Sequence, residues 1–477
     1  MCNKEFKKIT GSTVMYRLKF LISIGIIFTI FFTGCTDGLN ETPFSSVTEE
    51  SITFSEEDFN QVIGPVYSNM RGLHGFHNYF TQEITADELA QPGNASGWID
   101  GGKFHRMMLH TWTAEQDHVA DLWGTLYQGV LHANRIISGI EGGAVKIPEG
   151  ENQQSVLSEI KTARAFYYWL ILDNFGDAPL VTAPTEGNEM PGKTPRGEIY
   201  QFVVDELTNA IPNLSEETNQ RMYGRFNKWA AKTLLAAVYL NAEVYTGSAQ
   251  WDNVIQQTND VINSGKYMLA MDYSEPFKVQ NQNSNENIFV IPYDQINGGG
   301  FNIAVISFHA SLRDKFQMQS TPWGAGSAQA VPQFGDIYES DDKRLEKTWV
   351  RGLQFSHDGD TLKGQWELAG EPLVLSQTMK NGMFTSEMAG WRVGKFEIAE
   401  GATGSLSNDF PVFRYARVLM MKAEALLRTG NASQAASLVS DVRSRAFDDP
   451  ADAQVSAGDL TSDSEYDYGY WEDFRNC

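Results

Sequence analysis

The chain has 477 residues, 37 Lys plus Arg against 60 Asp plus Glu, a formal net charge of −23, and three cysteines. That acidic excess excludes a nucleic-acid binder, because affinity for phosphate comes from a basic surface. A hydrophobic fraction of 42% with 20% charged residues belongs to a globular chain long enough to bury a core without disulfide staples.

Residues 1–34 read as an export address. Lys4, Lys7, Lys8, Arg17 and Lys19 precede an uncharged apolar run from Phe20 to Phe32, thirteen residues that fall short of a bilayer span but suit a signal-peptide core. The run ends in Phe32-Thr33-Gly34-Cys35, small residues before a cysteine as in a bacterial lipobox, with Phe32 in place of the usual Leu. Cys35 is therefore the expected acylated anchor, and Met15 offers an alternative start. Removing five basic residues and Glu5 leaves 32 basic and 59 acidic side chains, a net of −27. An anionic body gains nothing from an anionic membrane surface, so the lipid must hold it there. Residues 35–54 read as a tether.

The body is expected over 55–447. Ser55 is an N-cap candidate for a helix whose stripe runs through Phe59, Val62, Ile63, Val66, Tyr67 and Met70. A second stripe runs from Val119 through Leu122, Leu126 and Val130 to Ile137. Between them, 74–118 is a loop region holding five of the eight histidines. Four helices are predicted over 155–265. The second starts at Thr194-Pro195, and the third, Arg225 to Tyr245, is alanine-rich and apolar nearly all round. Residues 271–408 are Gly- and Asn-punctuated, with a few strands such as Ile288 to Ile291. Helical periodicity returns at Phe413, breaks at Gly430-Asn431 and resumes through Val442. The pairs 225–245 with 251–264, and 413–428 with 432–446, resemble tetratricopeptide units. The body thus divides into helical 55–270, loop-rich 271–408 and a helical pair at 409–447, followed by an acidic aromatic tail at 448–477.

An ordered set of segments resembles the SusD/RagB family of outer-membrane nutrient-binding lipoproteins of Bacteroidetes. It comprises Asp121-Leu-Trp-Gly-Thr-Leu-Tyr127, Ala163-Arg-Ala-Phe-Tyr-Tyr168, Phe175-Gly-Asp-Ala-Pro-Leu180, Phe410-Pro-Val-Phe-Arg-Tyr-Ala416 and Lys422-Ala-Glu-Ala-Leu426. The resemblance implies a mostly α fold, with a tetratricopeptide-like helical scaffold and an irregular ligand-binding half. It implies no catalysis but capture of an oligosaccharide, delivered at the cell surface to a SusC-like TonB-dependent transporter. Peptide capture in the same role is the alternative. The family's basic C-terminal stretch is missing: nine acidic residues lie between Asp448 and Asp473, and the chain reads as cut off at Cys477.

A sugar-binding face needs exposed aromatics for stacking, with amides or carboxylates for hydroxyls. Trp98, with Asn94 and Asp100, lies in one Gly-rich loop, and Trp323 lies among Pro322, Gly324 and Gly326 in another. Tyr293 and Asn297 are expected companions. Trp123, Trp169, Trp229 and Trp251 sit on helical stripes and are expected in the core. A glycoside hydrolase is the rival class, but no carboxylate pair stands out from solvated faces. Serine-nucleophile, phosphate-loop and zinc spacings are absent, so no cofactor is expected. Asp358-Gly-Asp360 and Asp463-Ser-Glu465-Tyr-Asp467 offer oxygens to a structural calcium without keeping the EF-hand pattern.

Overall fold

The computed structural model describes residues 56–73, 78–86, 88–94, 99–184, 190–324, 328–379 and 384–464. The export segment, Cys35, the tether, Ser55, Trp98 and the end of the tail lie outside them.

Helix α1 (Glu56–Ser68) turns Phe59, Ile63 and Val66 inward. Helix α2 (Asp117–Glu141) buries the expected stripe, including Leu122, Leu126, Val130 and Ile137. Helix α3 (Gln153–Phe175) starts where Asn152 accepts the Ser155 N–H at 3.0 Å. It is buried on nearly every side and forms the axis of the helical half. α2 approaches α3 closely at Gly129, where a Cβ would lie 2.1 Å from Cζ of Tyr167. The Tyr167 hydroxyl in turn donates to the Val66 carbonyl at 2.6 Å and ties α3 to α1.

Helix α4 (Arg196–Ala210) departs from the expected cap: Thr194 pairs with Ala178 in a short antiparallel ladder. The first amide, Arg196 N–H, goes instead to the Asp177 carboxylate at 2.9 Å. Helix α5 (Lys228–Leu240) is capped by Asn227, which accepts from Trp229 and Ala230. It stops at Asn241, and Ala242–Thr246 forms a separate short helix, so the single run to Tyr245 is corrected. Helix α6 (Trp251–Asn263) packs on α5 and on α7 (Tyr415–Arg428), which packs in turn on α8 (Ala432–Arg443). Two helix pairs therefore follow one another, as a repeat scaffold requires.

The loop-rich half holds short strands: β1 (Leu89–Ala90), β2 (Gly93–Asn94), β3 (Asn287–Ile291), β4 (Gln329–Ala330), β5 (Trp349–Val350), β6 (Phe384–Thr385), β7 (Arg392–Val393) and β8 (Phe410–Arg414). Four of them form an antiparallel sheet in the order β1-β4-β7-β5. β8 pairs with β3, which places Phe413 in a strand and moves the helix start to Tyr415. The pairing puts Phe413 beside Phe289, whose ring stacks on Phe226 at 4.1 Å, with Phe166 of α3 against Phe226 at 5.6 Å. The two halves thus share one aromatic core. Trp169 and Trp229 are buried, and Trp123 and Trp251 pack partly buried against the same core.

Three buried carboxylates are paired with arginine, which offsets the cost of desolvation. Glu159 takes Arg225 at 2.8 Å and the Tyr67 hydroxyl at 2.5 Å. Arg164 bridges Glu206 and the Asn134 amide oxygen. Glu286, fully buried, holds both Arg414 and Arg445.

Candidate functional site

Trp323 follows Pro322 and precedes Gly324, residues that end regular structure and turn the chain outward. Its backbone N–H donates to the Val305 carbonyl at 2.8 Å, and its side chain is 64% exposed. A second indole stands next to it. Trp366, 38% exposed, lies over Gly324 so closely that a Cβ there would sit 2.1 Å from Cη2 of Trp366. Gly324 also has φ +89°, a conformation that L side chains avoid. The Trp366 indole therefore packs on the residue next to the exposed Trp323.

The Trp366 turn is held from beneath. Glu387, with no exposed side-chain surface, accepts the backbone N–H groups of Gln365 at 2.8 Å, Leu368 at 2.8 Å and Trp366 at 3.1 Å. Its second partner is the equally buried His309, Nε2 at 2.8 Å from Oε2. The His309 Nδ1 accepts the Ser311 N–H at 3.1 Å, so the ring proton belongs on Nε2, which donates to Glu387. Burial lowers the His309 pKa and nearby Arg392 adds to this against the pull of Glu387, so the ring is neutral at pH 7. Burial alone would raise the Glu387 carboxyl; the Gln365 amide, His309 and the other two amides outweigh it and hold the pKa below its ordinary value. The His309 ring also meets the Trp366 indole edge to face at 5.0 Å.

Arg392 lies below this layer, with no exposed surface, and donates to the carbonyls of Glu387, Ala389 and Gly390. Desolvation lowers its pKa to about 9, which still leaves it charged at neutral pH.

A groove of about 670 Å³ reaches this turn at Lys363, Gly364 and Gln365. Arg313, Gln317, Asp358 and Asp360 also line it, a mixture of donors and acceptors suited to hydroxyl groups. Asp358 and Asp360 thus belong to a groove wall, and among the described residues no group of three or more His, Cys, Asp or Glu is placed to hold a metal ion. Asp463 is described; Glu465 and Asp467 lie outside the described residues.

A further concavity, about 320 Å³, lies between Tyr79, Tyr273, Trp349, Lys395 and Phe410. Glu83 opens onto it, its carboxyl pushed up to about 8 by burial and by a hydrogen bond with Glu88.

Two family descriptions match consecutive parts of the chain. Residues 39–240 match a SusD-like family described as starch-binding associating with outer membrane, and residues 265–466 match the SusD family. The chain belongs to the SusD family.

Relatives span almost all of it. SusD-like protein P25 of Formosa agariphila is 21% identical over 96% of this chain and 87% of its own length. Starch-binding protein SusD of Bacteroides thetaiotaomicron is 27% identical over 78% of this chain and 71% of its own. Surface glycan-binding protein A of Bacteroides thetaiotaomicron, solved in complex with laminarihexaose, superposes with a TM-score of 0.63 at 17% identity, covering 89% of this chain and 86% of that one. The mostly helical SusD fold is thereby established for this chain.

The remaining expected contact residues fall in different places. Trp98 lies outside the described residues. The backbone of Asn94 is in β2, which pairs in parallel with β6 and so sets this segment two residues before Glu387. Asp100, at φ 46°, pairs with Lys103 at 2.6 Å. Asn297 is exposed in a tight turn, both of its N–H groups directed at Asp294. Tyr293 is a correction: it is 4% exposed, its ring packs on Phe301, and its hydroxyl donates to the Arg71 carbonyl at 2.6 Å. It serves as core and presents no stacking face. Trp366, Glu387 and His309 were missed. Trp366 carried a signal, standing among Gly364, Gly370 and polar neighbours as Trp323 does among its own turn residues. The other two carried none.

Proposed function

We propose that this SusD-family chain captures oligosaccharide at the cell surface on the Trp323–Trp366 face and the adjoining polar groove. The observation that carries the reading is a pair of exposed tryptophans, Trp323 and the Trp366 that packs over the adjacent Gly324, beside that groove. Indole faces stack on the apolar faces of sugar rings, and the groove's amides, carboxylates and cations answer the hydroxyl edges. Relatives described as starch-binding, and one solved with laminarihexaose, support a glycan as ligand. Trp98, Asn94, Asp100 and Asn297 are further proposed ligand contacts.

No catalytic step is assigned. The buried carboxylate at the site, Glu387, is saturated by backbone donors and faces inward, away from any ligand. The protein is held to the outer membrane by lipid on Cys35 and delivers its ligand to a SusC-like TonB-dependent transporter. No helix among the described residues is long and apolar enough to cross a membrane.

The test is calorimetric titration against a panel of α- and β-glucans and other glycans, with the mixtures then analysed for released sugar. Saturable binding without product supports capture. Released sugar supports a hydrolase, and binding confined to peptides supports the peptide alternative.

A further inference from the structure

The turn 363–368 that carries Trp366 has no regular secondary structure, yet most of its backbone polar groups have partners. Three amides converge on one carboxylate, Glu387. The Lys363 carbonyl accepts from Ser311 Oγ at 2.6 Å, and the Glu367 carboxylate accepts the Glu387 N–H at 2.5 Å. The cluster thus ties the turn 363–368 to two distant stretches of chain, around 309–311 and 387–392.

We infer that Glu387 and His309 are positioning residues for the glycan face, fixing Trp366 over Gly324 so that the two indoles are presented before ligand arrives. The inference rests on the Trp323–Trp366 reading above. A loop tryptophan free to rotate would have to be ordered by the ligand, at a cost taken from affinity. Here that ordering is completed within the fold. Glu387 fixes the backbone, His309 supports the indole edge, and Arg392 grips three carbonyls so that Glu387 cannot swing away. The charged and titratable groups facing His309 are Glu387, Arg392 and Glu367.

The chemistry requires an acceptor-only side chain at 387. In Glu387→Gln one oxygen becomes an NH2 that must face either the backbone amides or His309 Nε2–H, all of them donors. The substitution keeps the volume and loses the convergence.

The experiment is hydrogen exchange of the peptide spanning 363–369 together with glycan titration, on wild type, Glu387→Gln, His309→Gln, Trp366→Ala and the double variant Glu387→Gln/Trp366→Ala. Faster exchange at 365, 366 and 368 is expected in Glu387→Gln, with affinity reduced about fivefold, the size of one lost aromatic contact. In the Trp366→Ala background the same substitution should leave affinity unchanged, because it acts only through that indole. Unchanged exchange at those amides, or an equal loss of affinity with and without Trp366, would overturn the inference. Exchange is read without ligand, so a wild type that binds no glycan sinks the functional reading and leaves this one still decided. If Glu387→Gln does not fold, His309→Gln carries the same two readouts.

Discussion

The indole of Trp366 rests on Gly324, the residue that follows Trp323, with room between them for a hydrogen and nothing larger. Alanine at 324 would put a methyl group 2.1 Å from Cη2 of Trp366 and would hold it at φ +89°. Gly324→Ala is therefore expected to displace Trp366, to cost about 1–3 kcal/mol in thermal unfolding, and to weaken glycan binding. Calorimetry and a melting curve on the same sample check both.

Glu286 is a buried carboxylate that accepts from Arg414 at 2.7 Å, from Ala270 N–H at 3.0 Å and from Arg445. It joins the loop before β3 to the end of β8 and to the segment after α8. Glu286→Gln leaves two arginines without their anion, and breaking such a buried network costs about 3–5 kcal/mol. Urea unfolding should show the loss, while glycan binding by any surviving folded protein stays intact.

How much of this was legible in the sequence depended on how far each signal reached. Helical stripes are local, so Leu122, Leu126, Val130 and Ile137 predict their own burial. The start of α7 was misplaced because Phe413 continues the same apolar spacing, and only pairing with Phe289, far back in the chain, makes it a strand. The break at Asn241 is hidden for a similar reason: alanines run through it on both sides. Exposure of Trp323 was readable from the proline and glycine around it. Tyr293, also beside polar turn residues, is buried because Arg71 and Phe301 claim its two ends.

The support of the site was not legible at all. Glu387 and His309 lie 78 residues apart, and the amides that Glu387 collects lie 19 to 22 residues before it. No spacing rule joins them. Their relation exists only in the folded chain, where the Val393 N–H donates to Ser307 Oγ at 2.7 Å and sets 307–309 beside the stretch that follows Glu387.

Acidity acts on Glu83 in a direction that can be stated. Its carboxyl has a pKa of about 8 in the folded protein against an ordinary 4.5. Between those values the folded chain keeps a proton that the unfolded chain has lost, so stability falls as pH rises through that window. Glu83→Gln removes this titration. The difference in melting temperature, variant minus wild type, should grow from pH 5 to pH 8 and level off above; a difference independent of pH would contradict the burial argument.

His309 gives the complementary case. Its pKa lies below the ordinary 6.5, so the neutral ring contributes fully above that value and less as pH falls below it. A protonated ring would carry a hydrogen on Nδ1, against the Ser311 N–H. Exchange protection of the amides of 365, 366 and 368 should therefore decline on acidification below the ordinary histidine range, before global unfolding begins, as read by exchange at stepped pH.

The anchor has an independent test. Cys35→Ala should move the protein from the membrane fraction to the soluble fraction while leaving glycan affinity unchanged. Continued membrane fractionation would refute lipid attachment at that cysteine.

In the proposed function, glycan binds across Trp323 and the Trp366 indole that packs over Gly324. The measurement that reaches it most directly is titration of laminarihexaose and a maltooligosaccharide of equal length into wild type, Trp323→Ala and Trp366→Ala under identical conditions. At least one of the two sugars is expected to bind wild type, and each substitution should weaken that binding about fivefold, roughly 1 kcal/mol per lost stacking contact. Affinities unchanged in both variants would place the glycan elsewhere on the protein and contradict the account.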